Sequence, residues 1–78
     1  MTNSRPEEAL RIGNIKAAIW KNETERGTHF GVTVARIYKD GDTWKTSHSF
    51  GRDDLLLVAK VLNEAHSRIF ELQALARA

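Results

Sequence analysis

The chain has 78 residues, 12 Lys and Arg against 10 Asp and Glu, a net charge of +2 and no cysteine. A domain of this size buries only about 60% of its unfolded surface, and without disulfides or thiolate metal sites the remaining supplement is oligomerisation. No apolar run reaches roughly 18 residues and no hydrophobic stretch opens the chain, so neither a membrane span nor a signal peptide is expected; cysteine-free composition fits a cytoplasmic protein.

Residues 1–12 mix Asn, Ser, Pro and paired Glu with little periodicity. They read as a flexible N-terminal arm ahead of a single α+β domain over 13–78, with Gly13-Asn14 as the punctuation between them. Ile15–Trp20 alternates Ile15, Ala17 and Ile19 with Lys16, Ala18 and Trp20, the period of a half-buried strand. Lys21 to Thr28 is charged and carries Gly27, which predicts a surface loop.

A second strand is expected over about His29–Tyr38 and a third over about Thr43–Phe50, joined by Lys39-Asp40-Gly41-Asp42. The link's length decides which side chains share a face, because a one-residue shift turns a strand over. A two-residue link at Asp40-Gly41 sets Arg36 against Lys45 and mixes Ser47 and Ser49 with Phe30, Val32 and Val34. A three-residue link, Lys39 to Gly41, puts Trp44, His48 and Phe50 with the valines and leaves Lys45, Ser47 and Ser49 with Thr33 and Ala35. The second solution sorts apolar from polar better and is the expectation.

Gly51 ends the third strand, and Asp53-Asp54 supply a helix start. From there Leu55, Val58, Leu62, Ala65, Ile69 and Leu72 recur at steps of three and four, an amphipathic helix to Leu72 or beyond. Some 20 residues make a rod of about 30 Å, longer than a strand of five or six residues at about 17–20 Å. Its C-terminal part, with Ile69, Phe70, Leu72 and Leu75, is therefore predicted to overhang the sheet and to form a homodimer interface.

Catalysis is not expected. The three histidines are scattered, with His29 and His48 on opposite sheet faces in the expected register, and no metal or cofactor site has the right spacing. Ser47 and Ser49 flank His48, but neighbouring strand residues point apart. Asp53 and Asp54 are explained by the helix start.

The basic and aromatic residues concentrate in the sheet segment: residues 16–52 hold seven Lys and Arg against four Asp and Glu. Aromatic faces take stacked bases and cations follow phosphates, so Lys16, Trp20, Lys21, Arg36, Tyr38, Trp44 and Lys45 are candidate contacts to single-stranded DNA or RNA. An ordinary solvated face, with the aromatics packed at the edge of the core, explains the same residues. The second function considered is a protein-interaction or assembly module using the overhanging helix and a sheet edge.

Ile15–Trp20, the segment Arg36 to Lys45 and Ser49-Phe50-Gly51-Arg52-Asp53-Asp54-Leu55-Leu56 together resemble a group of short, uncharacterised bacterial proteins, a likeness that implies no activity. The order of sheet then helix, with a basic and aromatic sheet, resembles the single-stranded DNA-binding group of PUR repeats, Whirly proteins and the transcriptional positive-cofactor domain. That resemblance is one of topology and composition. It implies a curved sheet that binds nucleic acid, a helix that supports dimerisation, and a fourth strand from Leu10–Ile12 or from a partner chain.

Overall fold

The computed structural model describes residues 5–77, with 76 and 77 known by backbone alone. Four antiparallel strands run in sequential order, β1 (Glu8–Ile12), β2 (Ile15–Thr24), β3 (Gly27–Asp40) and β4 (Thr43–Ser47). A short 3-10 turn over Arg52–Asp54 then leads into α1 (Leu55–Arg77). The layout is an open α+β sheet with one C-terminal helix. No helix among the described residues is long and apolar enough to cross a membrane.

Each hairpin is closed by two residues. Gly13-Asn14 joins Ile12 to Ile15, and Gly41-Asp42 joins Asp40 to Thr43. Gly13 and Gly41 take φ of 59° and 64° at the first central position, where a II′ turn requires a positive φ, while Asn14 and Asp42 do not. The β2–β3 link, Glu25-Arg26, is followed by Gly27 at φ 120°. The Thr24 hydroxyl braces it, accepting from the Arg26 amide at 3.2 Å and donating to the Gly27 carbonyl at 3.1 Å.

Three expectations are corrected. Glu8–Ile12, assigned to the arm, is an edge strand paired with Ile15–Ile19; residues 1–4 of that arm lie outside the described residues. The loop expected over 21–28 is the outer half of the β2–β3 hairpin, with Lys21 opposite Phe30 and Thr24 opposite Gly27. The third correction is the link at Gly41, which has two residues rather than three and pairs Tyr38 with Lys45 and Arg36 with Ser47. Trp44 and Thr46 therefore join Thr33, Ala35 and Ile37, while Lys45 and Ser47 lie on the side of the valines.

The helix covers one face. Ile15, Ala17 and Ile19 from β2 are buried with Val61 and Ala65 from α1, and Ile12, Val34, Phe50, Leu57 and Val58 pack around them. Leu57 sits over the β1–β2 turn, where a Cβ on Gly13 would come within 3.2 Å of its Cδ2. One turn of helix after another, the rod follows β2 to Arg68, which clamps Glu8 at the far end of β1 through Nε and Nη2 at 2.6–2.8 Å. The fork also holds Glu71 at 3.0 Å. This pairing draws the Glu8 carboxyl below its ordinary value and lifts the Arg68 guanidinium above its own, chiefly through the hydrogen bonds between them.

The helix start is tied down by side chains. The Asp54 carboxylate accepts the Gly51 amide at 2.9 Å, and the Arg36 guanidinium reaches both Asp54 at 3.6 Å and the Ser49 carbonyl at 3.4 Å. Asp54, rather than Asp53, closes this turn.

Candidate nucleic-acid interface

Strand parity fixes what the uncovered face presents. Lys16, Ala18 and Trp20 of β2 alternate with the buried Ile15, Ala17 and Ile19, so they point away from the helix. Through the register, Ala9 and Arg11 of β1, Thr33, Ala35, Ile37 and Lys39 of β3, and Trp44 and Thr46 of β4 share that face. His48 continues the alternation just past β4, and its Nδ1 lies 3.3 Å from the Val34 carbonyl oxygen. A cleft of about 310 Å³ opens here, walled by Lys16, Ala35, Ile37, Trp44, Thr46 and His48.

The two tryptophans are held differently. The Trp20 indole donates through Nε1 to the Thr33 hydroxyl at 2.9 Å, which lays the ring across towards β3. Trp44 stands 63% exposed, with the Lys39 ammonium 5.8 Å from its ring centroid.

Charge separates between the faces. Every strand carboxylate, Glu8, Glu23 and Asp40, lies on the helix side. There each meets a cation: Glu8 with Arg68, Glu23 with Lys21 at 3.4 Å and Asp40 with Lys45 at 2.9 Å. The open face carries Arg11, Lys16 and Lys39 with no strand carboxylate between them, and none of the three forms an ion pair among the described residues.

The seven expected contacts are thus divided. Lys16, Trp20 and Trp44 meet on the open face. Lys21, Arg36, Tyr38 and Lys45 lie on the helix side, where Arg36 stacks 5.3 Å over Tyr38 and all three cations are paired with carboxylates. Arg11, Lys39, Thr46 and His48 enter the site instead. The alternation of Ala9 and Arg11 with Leu10 and Ile12 was the signal for Arg11, hidden by the shortness of β1. His29 and His48 fall on the same face rather than opposite ones, and no cluster of three metal-ligating side chains occurs among the described residues.

Of the four residues expected at a dimer interface, Phe70 and Leu75 are exposed, at 71% and 68%. Ile69 and Leu72 are half-buried. Leu55 and Leu62 are also exposed; they sit seven residues apart on one flank of α1, with Val32 of β3 partly open as well.

No protein-family model, curated protein sequence or solved structure matches the chain.

Proposed function

We propose that this is a non-catalytic, cytoplasmic protein that binds single-stranded DNA or RNA on its uncovered sheet face, as a homodimer. The observation that carries the reading is the sorting of charge: strand carboxylates and their partner cations share the helix side, and Arg11, Lys16 and Lys39 stand without ion pairs on the face that carries both tryptophans, Arg11 donating through Nε to the Gly13 carbonyl at 3.0 Å. Unpaired cations are free to replace the counterions of a phosphate backbone, and indole faces accept bases without regard to sequence. The sheet-then-helix order resembles that of the PUR, Whirly and positive-cofactor group, which agrees with this reading by analogy of layout.

Dimerisation is supported by size. A compact monomer of 8.8 kDa exposes about 4,800 Å² and has a radius of gyration of about 11.5 Å. This chain exposes 6126 Å² at a radius of gyration of 14.3 Å. The surplus surface includes Leu55, Leu62, Phe70 and Leu75, apolar side chains that a second copy would remove from water.

The test is a fluorescence titration with a thymidine oligomer at low salt. Binding should quench tryptophan emission, and with three phosphate contacts log K should fall with log salt at a slope of about −2. Trp44→Ala should weaken binding by about 1–3 kcal/mol for the lost stacked base, and Lys16→Ala should reduce the salt slope by about 0.7. Lys60→Ala, at an exposed position of α1 away from the cleft, should change neither. Absence of both quench and gel shift at low salt removes the proposal, and a stable complex with another protein under those conditions would favour the assembly-module alternative.

A further inference from the structure

The two tryptophans of the open face are far apart. Trp20 lies opposite Gly31 and Trp44 opposite Lys39, so eight residues of β3 separate their levels, with two strand spacings between β2 and β4. At about 3.4 Å per residue and 4.8 Å per strand, their Cα atoms stand roughly 25–30 Å apart. The line between them crosses β3 at Ala35, passing between Ala18 and Thr33 on the Trp20 side and between Ile37 and Thr46 on the Trp44 side, with Lys16 level with Ala35 on β2. Small side chains floor its first half, and Ile37 stands beside it where the cleft begins. Trp20, held down by its bond to Thr33, closes one end, and the cleft beside Trp44 opens the other.

We infer that the two indoles are the end platforms of one continuous diagonal track, so that the ligand is a single strand long enough to lie on both at once. This rests on the sheet-face reading above and adds a length and a path to it. A span of 25–30 Å corresponds to about eight stacked nucleotides at the 3.4 Å rise of a duplex strand, and to fewer when the strand is stretched. That lies within the usual site sizes of about 4–16 nucleotides for sheet-based single-strand binders. Lys16 sits midway along the track and Lys39 beside Trp44, where they meet the backbone between the platforms. Joining the two contacts in one molecule makes the second one intramolecular, so affinity rises once the strand reaches across.

The chain has only these two tryptophans, so the ¹⁵N-labelled protein gives two indole signals that report each platform separately. A series of thymidine oligomers from the dinucleotide to about a dozen residues is titrated against the unsubstituted protein. Below the bridging length, the two signals should follow separate, weak isotherms. At about five to eight nucleotides and beyond, they should follow one shared isotherm with affinity at least tenfold higher. A Trp20 signal that never moves with the longest oligomer, while that of Trp44 does, overturns the track. So does an affinity that is the same for the dinucleotide and the longest strand. If neither signal moves with any oligomer, the sheet-face reading itself falls, together with this one.

Discussion

Gly13 and Gly41 occupy equivalent places in their hairpins but not equivalent surroundings. Both hold a positive φ that costs an ordinary residue about 1–2 kcal/mol. Nothing lies within 4 Å of a Cβ at Gly41, whereas one at Gly13 meets Leu57 at 3.2 Å. Gly41→Ala should therefore lower stability by roughly the conformational cost alone, and Gly13→Ala by more, because it also displaces the start of the helix; urea unfolding of the two variants compares them. The clamp between Glu8 and Arg68 makes a second prediction. Its carboxyl titrates below the ordinary value of 4.5, so the folded state holds the ionised form more tightly than the unfolded chain does. The contribution is complete above that value and is lost as acid carries the protein down through the lowered folded value. Glu8→Gln should remove that part of the acid sensitivity, leaving a flatter stability profile below about pH 4.5.

Elements differ in how plainly they are written. The triplet Ile15, Ala17, Ile19 is forced by burial on one face, and the structure seats it against the helix. Of the expected helix stripe, Val58 and Ala65 face the sheet, but Leu55 and Leu62 are exposed and Val61 takes the fully buried place, so the stripe is rotated from the expected one. Ile19→Ala should cost about 2–5 kcal/mol in chemical denaturation, enough to unfold much of so small a domain. Leu56→Ala, at a side chain 85% exposed, should stay within about 0.5 kcal/mol. The Gly41 link differs from its expected length for a physical reason. Choosing its length by sorting apolar from polar assumes that both faces of β4 differ in burial. The helix packs on β2, β3 and β1, so β4 lies outside its main footprint and no such difference acts on it. Trp44, Lys45, Thr46 and Ser47 were free to take either parity, and the glycine's demand for the first central position of a tight turn decided it. β1 is legible only as Leu10–Ile12, one of two sources for a fourth strand, because its half-buried positions include Glu8, a charge admitted there by Arg68 from sixty residues away. The outer part of the β2–β3 hairpin is likewise held by backbone pairing, which leaves no hydrophobic pattern to read.

On the scale of the whole molecule, the buried core is small and the outline long, with principal extents of 45 × 26 × 15 Å. A second copy laid along the flank of Leu55 and Leu62 would cover those two side chains, which the sheet does not reach. Light scattering should give the mass of a dimer for the protein at micromolar concentration. Leu62→Asp should give that of a monomer while keeping its circular dichroism spectrum. A monomeric parent, or a variant that remains dimeric, would show that these leucines are merely exposed. In a dimer each copy keeps its own open face, so two tracks per particle are expected and strand binding should persist, at reduced avidity, in the monomeric variant.

The absence of a helix over β4 also sets an order of local opening. Amide protons of β2, roofed by Val61 and Ala65, should be the slowest to exchange with deuterated water, and those of β4 among the fastest in the sheet. Trp44 rides on the labile strand and Trp20 on the durable one. Peeling of β4 would then release one end of a bound strand while the other stays attached, a route by which a tightly held polymer can leave stepwise rather than all at once.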